Sequence, residues 1–95
     1  MNLIDLLLPT EKAVTTKNIL KEKGMATLIQ IKKGAVLREH QSMTDALLVL
    51  VSGKVVYEEK ERKEFLLETL DIVHIPAKIT HKVIGEENSV LLLIQ

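Results

Sequence analysis

Apolar stretches of about five to seven residues, rich in Val, Ile, Leu and Thr, recur along the chain and are broken by glycines and charged clusters, a rhythm of strands rather than helices. The pattern predicts strands over Val14 to Lys21, Ala26 to Lys32, Ala35 to His40, Ala46 to Ser52, Lys54 to Glu59, Glu64 to Glu68, Ile72 to Ile75, Ile79 to Ile84 and Ser89 to Ile94. Gly24, Gly34 and Gly53 fall between runs and Gly85 opens the polar Gly85-Glu86-Glu87-Asn88, so all four read as turn residues. Glu58-Glu59-Lys60-Glu61-Arg62-Lys63 sets charges of both signs between two apolar runs and reads as a solvated hairpin turn rather than a binding patch.

Two runs lack polar alternation. Ala46 to Val51 and Val90 to Ile94 should be covered on both faces, and the apolar start, Met1 to Leu8, is expected to pack nearby as a short helix or an added strand. That is more covering surface than one small protomer supplies, so a homodimer is expected.

Composition narrows the classes. With 46% hydrophobic and 27% charged residues the 95-residue chain should fold, as one domain over 1–95 without linker or repeat. Thirteen basic and thirteen acidic residues cancel, which argues against nucleic acid or anionic membrane as partner. The absence of cysteine removes disulfides, thiolate ligands and a cysteine nucleophile, and makes a cytoplasmic location the expectation. The first eight residues lack a basic start and a cleavage pattern, and no apolar run approaches the roughly 20 residues of a membrane span. No nucleophile elbow, phosphate loop or spaced zinc pattern is present. Glu58 and Glu59 sit in the charged turn, where water should keep them from acid-base tuning. One Tyr and one Phe cannot build the aromatic platforms of sugar or nucleobase sites.

Gly34-Ala35-Val36-Leu37-Arg38-Glu39-His40, then Asp45 through Gly53, then Asp71-Ile72-Val73-His74-Ile75-Pro76-Ala77-Lys78-Ile79-Thr80-His81 resembles the two-motif signature of the cupin superfamily. Gly34, His40 and Gly53 match the first motif; Asp71, Pro76 and His81 match the second. Four positions depart from it: Ser42 stands for the second His, Ala46 for the Glu, Leu70 for the turn Gly, and Lys78 for the Gly after Pro76. The resemblance covers about residues 34–94, with 1–33 supplying N-terminal strands and an arm. It implies an all-β, RmlC-like double-stranded β-helix, a jelly-roll barrel with an apolar pocket open at one end.

The resemblance also implies a pocket lined by His40, Ser42, Ala46, Leu48 and His81. Period two places Ile79, His81 and Val83 on one face, so His81 is expected to look inward. Two readings of His40 and His81 stay open: a pair that hydrogen-bonds within the barrel, or a weak two-histidine site for a divalent transition metal such as zinc, copper or nickel. His74 is expected at the surface rather than as a third ligand, and Asp45 is expected to fix its loop. Three functions follow, in order of preference: a non-catalytic binder of a small ligand in the apolar pocket, a homodimeric interaction module, and a metal-dependent enzyme with a reduced site.

Overall fold

The computed structural model describes the chain except Met1, Glu22, Lys23 and Ser42, and except the side chains of Glu39 and His40. Nine strands are present among the described residues: β1 Val14–Leu20, β2 Ala26–Ile31, β3 Val36–His40, β4 Ala46–Ser52, β5 Val55–Glu59, β6 Lys63–Leu66, β7 Ile72–Ile75, β8 His81–Gly85 and β9 Ser89–Ile94. All pair antiparallel, in a five-stranded sheet β1-β2-β9-β4-β7 and a four-stranded sheet β3-β8-β5-β6. The apolar start forms one turn of 3-10 helix, Leu3–Leu6. Asn2 accepts the Ile4 amide at its N-terminus and Asp5 accepts the Asn2 amide.

Alternation closes the sheets into a barrel. Ile29 and Ile31 of β2, Leu91 of β9, Ala46, Leu48 and Leu50 of β4, and Val73 and Ile75 of β7 bury their side chains against Val55, Tyr57, Leu66 and Val83 of the facing sheet. Each fully buried aliphatic contributes about 1.5–3 kcal/mol. The doubly apolar strands β4 and β9 lie side by side in the middle of the larger sheet. Register aligns Lys17, Leu28, Leu92, Val49 and Ile72 in one row across its outer face, and Leu20, Ala26, Ile94, Leu47 and His74 in the next. The N-terminal arm is fastened to this face by the Gln30 carboxamide, which accepts the Leu8 amide (3.1 Å) and donates to the Leu8 carbonyl (3.3 Å). Leu28 is buried there, whereas Leu20, Ile72 and Ile94 stay exposed.

The two ends differ. Connections 32–35, 53–54, 67–71 and 86–88 meet at one end, which backbone contacts lock shut. Gly53 has φ +90°, and a Cβ on it would lie 2.2 Å from Ser89 Oγ, the hydroxyl that accepts the Lys54 amide and donates to the Glu87 carbonyl. A Cβ on Gly85 would likewise lie 2.4 Å from the Lys32 carbonyl. The connections that follow β1, β3, β5 and β7 gather at the other end, with the motif residues His40, Pro76 and His81, whereas Gly34, Gly53 and Asp71 lie at the locked end.

Several boundaries differ from expectation by one residue, and two differ by two residues for local reasons. β6 ends at Leu66 because the Asp71 carboxylate takes the amides of Leu67 and Glu68. β8 starts at His81, so Ile79 does not join the inward face: it lies 39% exposed in the loop that follows Pro76, and Val83 and Gly85 share the His81 face instead. Leu70 (φ +74°) and Lys78 (φ +64°) are the non-glycine residues with left-handed backbone among the described residues. They occupy the two positions where the resemblance expects glycine. The turn geometry has been kept while the residue that relaxes it has been lost.

Glycine substitutions at these sites should therefore act in opposite directions. Leu70→Gly removes a left-handed penalty of about 1–2 kcal/mol, offset by about 0.5–1 kcal/mol of chain entropy, and should raise Tm by several degrees. Gly53→Ala combines a similar backbone penalty with a steric clash and should cost about 3 kcal/mol, read as a lower urea midpoint. Equal midpoints for the two variants would contradict this reading of the turns.

Candidate functional site at the open end of the barrel

Backbone register brings the two motif histidines together: His40 pairs with His81 across β3 and β8, and Glu59 of β5 pairs with His81 on its other side. Period two puts Val55, Tyr57 and Glu59 on one face of β5, the face that meets the core at Val55 and Tyr57. His81 is only 4% exposed, its ring centroid 5.6 Å from that of Tyr57. Its Nδ1 lies 3.1 Å from the Ile79 carbonyl, which can only accept, so Nδ1 donates there.

Tyr57 is fully buried, and its hydroxyl donates to Glu59 Oε2 (2.5 Å). Arg62 Nη2 donates to the same oxygen (2.8 Å) and to the His74 carbonyl (2.6 Å). The guanidinium carbon stands 5.2 Å from the Tyr57 ring centroid. Arg62 thus reaches from the β5–β6 hairpin of the smaller sheet to β7, the edge strand of the larger one. Its Nε is buried without a hydrogen-bond partner among the described residues. The hairpin itself is closed by the Glu59 amide on the Arg62 carbonyl (2.7 Å).

Across the barrel, Ala46 and Leu48 are buried in the core, and Ala46 brings no donor atom. Ser42 and the side chain of His40 lie outside the described residues. No group of three or more His, Asp or Glu side chains suited to a metal ion occurs among the described residues. His74 is exposed and points its Nε2 at Asp45 Oδ2 (3.0 Å), while Asp45 Oδ1 accepts the Ala77 amide (2.9 Å). Asp45 thereby ties loop 41–45 to loop 76–80. The Ala77 amide first and His74 second hold its carboxyl below the ordinary 3.8.

A cleft of about 720 Å³ opens beside this cluster, lined by Glu58 to Lys63, Thr80 and Lys82. It is charged, and Ala46, Leu48 and His81 are not among its lining residues. Glu58 faces Lys63 (3.5 Å) and Lys82 (3.7 Å), whereas Glu59, only 13% exposed, turns inward to Tyr57 and Arg62. The expectation of a wholly solvated turn is corrected on this point. Parity along β5 carried the signal: a strand with Tyr57 inward and reaching Glu59 must also turn Glu59 inward, next to a buried hydroxyl in need of an acceptor.

Burial first, and the Glu59 hydrogen bond second, push the Tyr57 phenol from its ordinary 10.0 up to about 12. The folded state therefore holds a proton that the unfolded chain releases, so stability is intact below pH 10 and falls as pH rises toward about 12. Tyr57 is the sole tyrosine, so phenolate absorbance reports it alone. The native midpoint should lie far above that in denaturant, and Glu59→Gln should bring it down part of the way. Coincident native and denatured midpoints would contradict the buried hydrogen bond.

No family model and no curated protein matches the chain. Solved structures do. A cupin superfamily protein from Desulfitobacterium hafniense superposes with a TM-score of 0.89 over 100% of this chain and 87% of its own, at 21% identity. KdgF from Halomonas sp. gives 0.78 over 92% and 83%, at 23% identity. A cupin 2 conserved barrel domain protein from Leptotrichia buccalis gives 0.85 at 26% identity, covering 99% of this chain and 46% of that one. Both sheets are included in these alignments, and no helix among the described residues is long and apolar enough to cross a membrane. In fold, this chain is a small cupin-like β-barrel protein.

Proposed function

We propose that this chain binds a small ligand at the open end of its barrel, in the cytoplasm, without metal-dependent catalysis. The observation that carries the reading is the cluster of buried Tyr57 and His81 with half-buried Glu59 and Arg62 beside an accessible cleft. Sites that fix small molecules present a few convergent polar groups, and Glu58, Arg62, Thr80 and Lys82 line this cleft. A metal fits less well. Ala46 occupies the position of the carboxylate ligand, and Glu59, the carboxylate beside His81 in register, already neutralises Arg62. A cation there would have to displace a guanidinium.

A second reading is favoured by the outer face of the larger sheet, whose two aligned rows are apolar except at Lys17 and His74. Covering it with a second copy would make the chain a homodimeric interaction module. Both uses can coexist, because the face and the open end are separate surfaces.

Thermal-shift screening against small neutral, anionic and cationic compounds tests the first reading. At least one compound should raise Tm in the wild type and fail to do so in His81→Ala. If nothing shifts Tm while zinc, nickel or copper confers turnover, the chain is a metal enzyme instead. For the second reading, sedimentation should find a dimer that Ile72→Lys combined with Ile94→Lys converts to a folded monomer; a wild-type monomer at micromolar concentration rules it out.

A further inference from the structure

Charge is distributed unevenly over a chain whose formal charges cancel. Around the open-end cleft, Lys60, Arg62, Lys63 and Lys82 outnumber Glu58, Glu59 and Glu61 by one. Two of those lysines converge on the single carboxylate of Glu58. The surplus is positive, and a cleft concentrates it.

Arg62 supplies an independent pointer. Nη2 is committed to Glu59 and to the His74 carbonyl, so the guanidinium plane is held in place. Nε–H is buried and has no acceptor among the described residues. A buried donor without an acceptor is costly, and an oxygen brought to it removes the cost. The Arg62 side chain is 35% exposed and lines the cleft, so an oxyanion entering from that side would compete with the Nη2 contacts and turn the guanidinium to take up Nε–H. A planar oxyanion suits a guanidinium edge better than a point acceptor does.

We propose that the ligand is a small monocarboxylate, its carboxylate received by Arg62 from the cleft lined by Thr80 and Lys82. This rests on the binding reading above and adds the ligand's chemical class.

The test uses the full ¹⁵N-labelled chain titrated with sodium hexanoate, with hexanamide as the neutral isostere and inorganic phosphate as the alternative anion. Hexanoate should move the Arg62 Nε–H cross-peak together with the Thr80 and Lys82 amides, and hexanamide should not. Arg62→Lys keeps the charge but lacks the fork, and should weaken hexanoate binding at least about tenfold, while Lys17→Gln on the outer sheet face leaves it unchanged. The wild-type mapping stands even if Arg62→Lys does not fold. Equal shifts with hexanamide would overturn the carboxylate while leaving a ligand site at the open end. Phosphate moving Arg62 when hexanoate does not would overturn it as well, and so would an unmoved Arg62 with every probe.

Discussion

A phenol hydroxyl buried among aliphatic side chains has to find an acceptor, and the open end of this barrel is organised around how Tyr57 does so. Leaving the hydroxyl unpaired would cost roughly 1–3 kcal/mol, a large share of a small domain's stability. Glu59, two residues on and on the same face, accepts it; Arg62 then neutralises Glu59 and reaches the His74 carbonyl. One buried polar atom thus fixes the hairpin between β5 and β6 and links the edges of the two sheets. Water is squeezed from the ring face, which is why the phenol resists ionisation.

The fold was legible because period-two alternation, doubly apolar strands and turn residues all pointed the same way. Strands β4, β7 and β9 fall where the apolar runs end. The misplaced start of β8 has a different origin: Ile79 looks like strand, but the left-handed turn at Lys78 and the Ile79 carbonyl's contact with His81 Nδ1 hold it in the loop. Tertiary contacts overrode a local propensity there.

The site was legible only in part. Motif spacing brought His40 and His81 into register, and the resemblance pointed to Ala46 and Leu48, which are buried in a run whose unbroken apolar character did not say which residues face inward. Glu59 and Arg62 were hidden because charges in a hairpin ordinarily face water, and only strand parity separates Glu59 from Glu58. The motif departures also differ in kind. Leu70 and Lys78 retain a glycine-type backbone, whereas Ala46 abandons a ligand atom altogether. Scaffold geometry and metal chemistry have separated in this chain: a glycine-type turn remains at each end of the barrel, and a guanidinium–carboxylate–phenol network stands beside the histidine of the second motif.

That separation makes metal the sharpest probe. Crystals grown with zinc and measured at its absorption edge test whether the open end is a ligand site held by Arg62 or a metal centre. The account expects no ordered anomalous peak between His40 and His81, with the Arg62 to Glu59 ion pair intact. An ordered zinc on His81 with Glu59 turned away from Arg62 to ligate it would contradict the account.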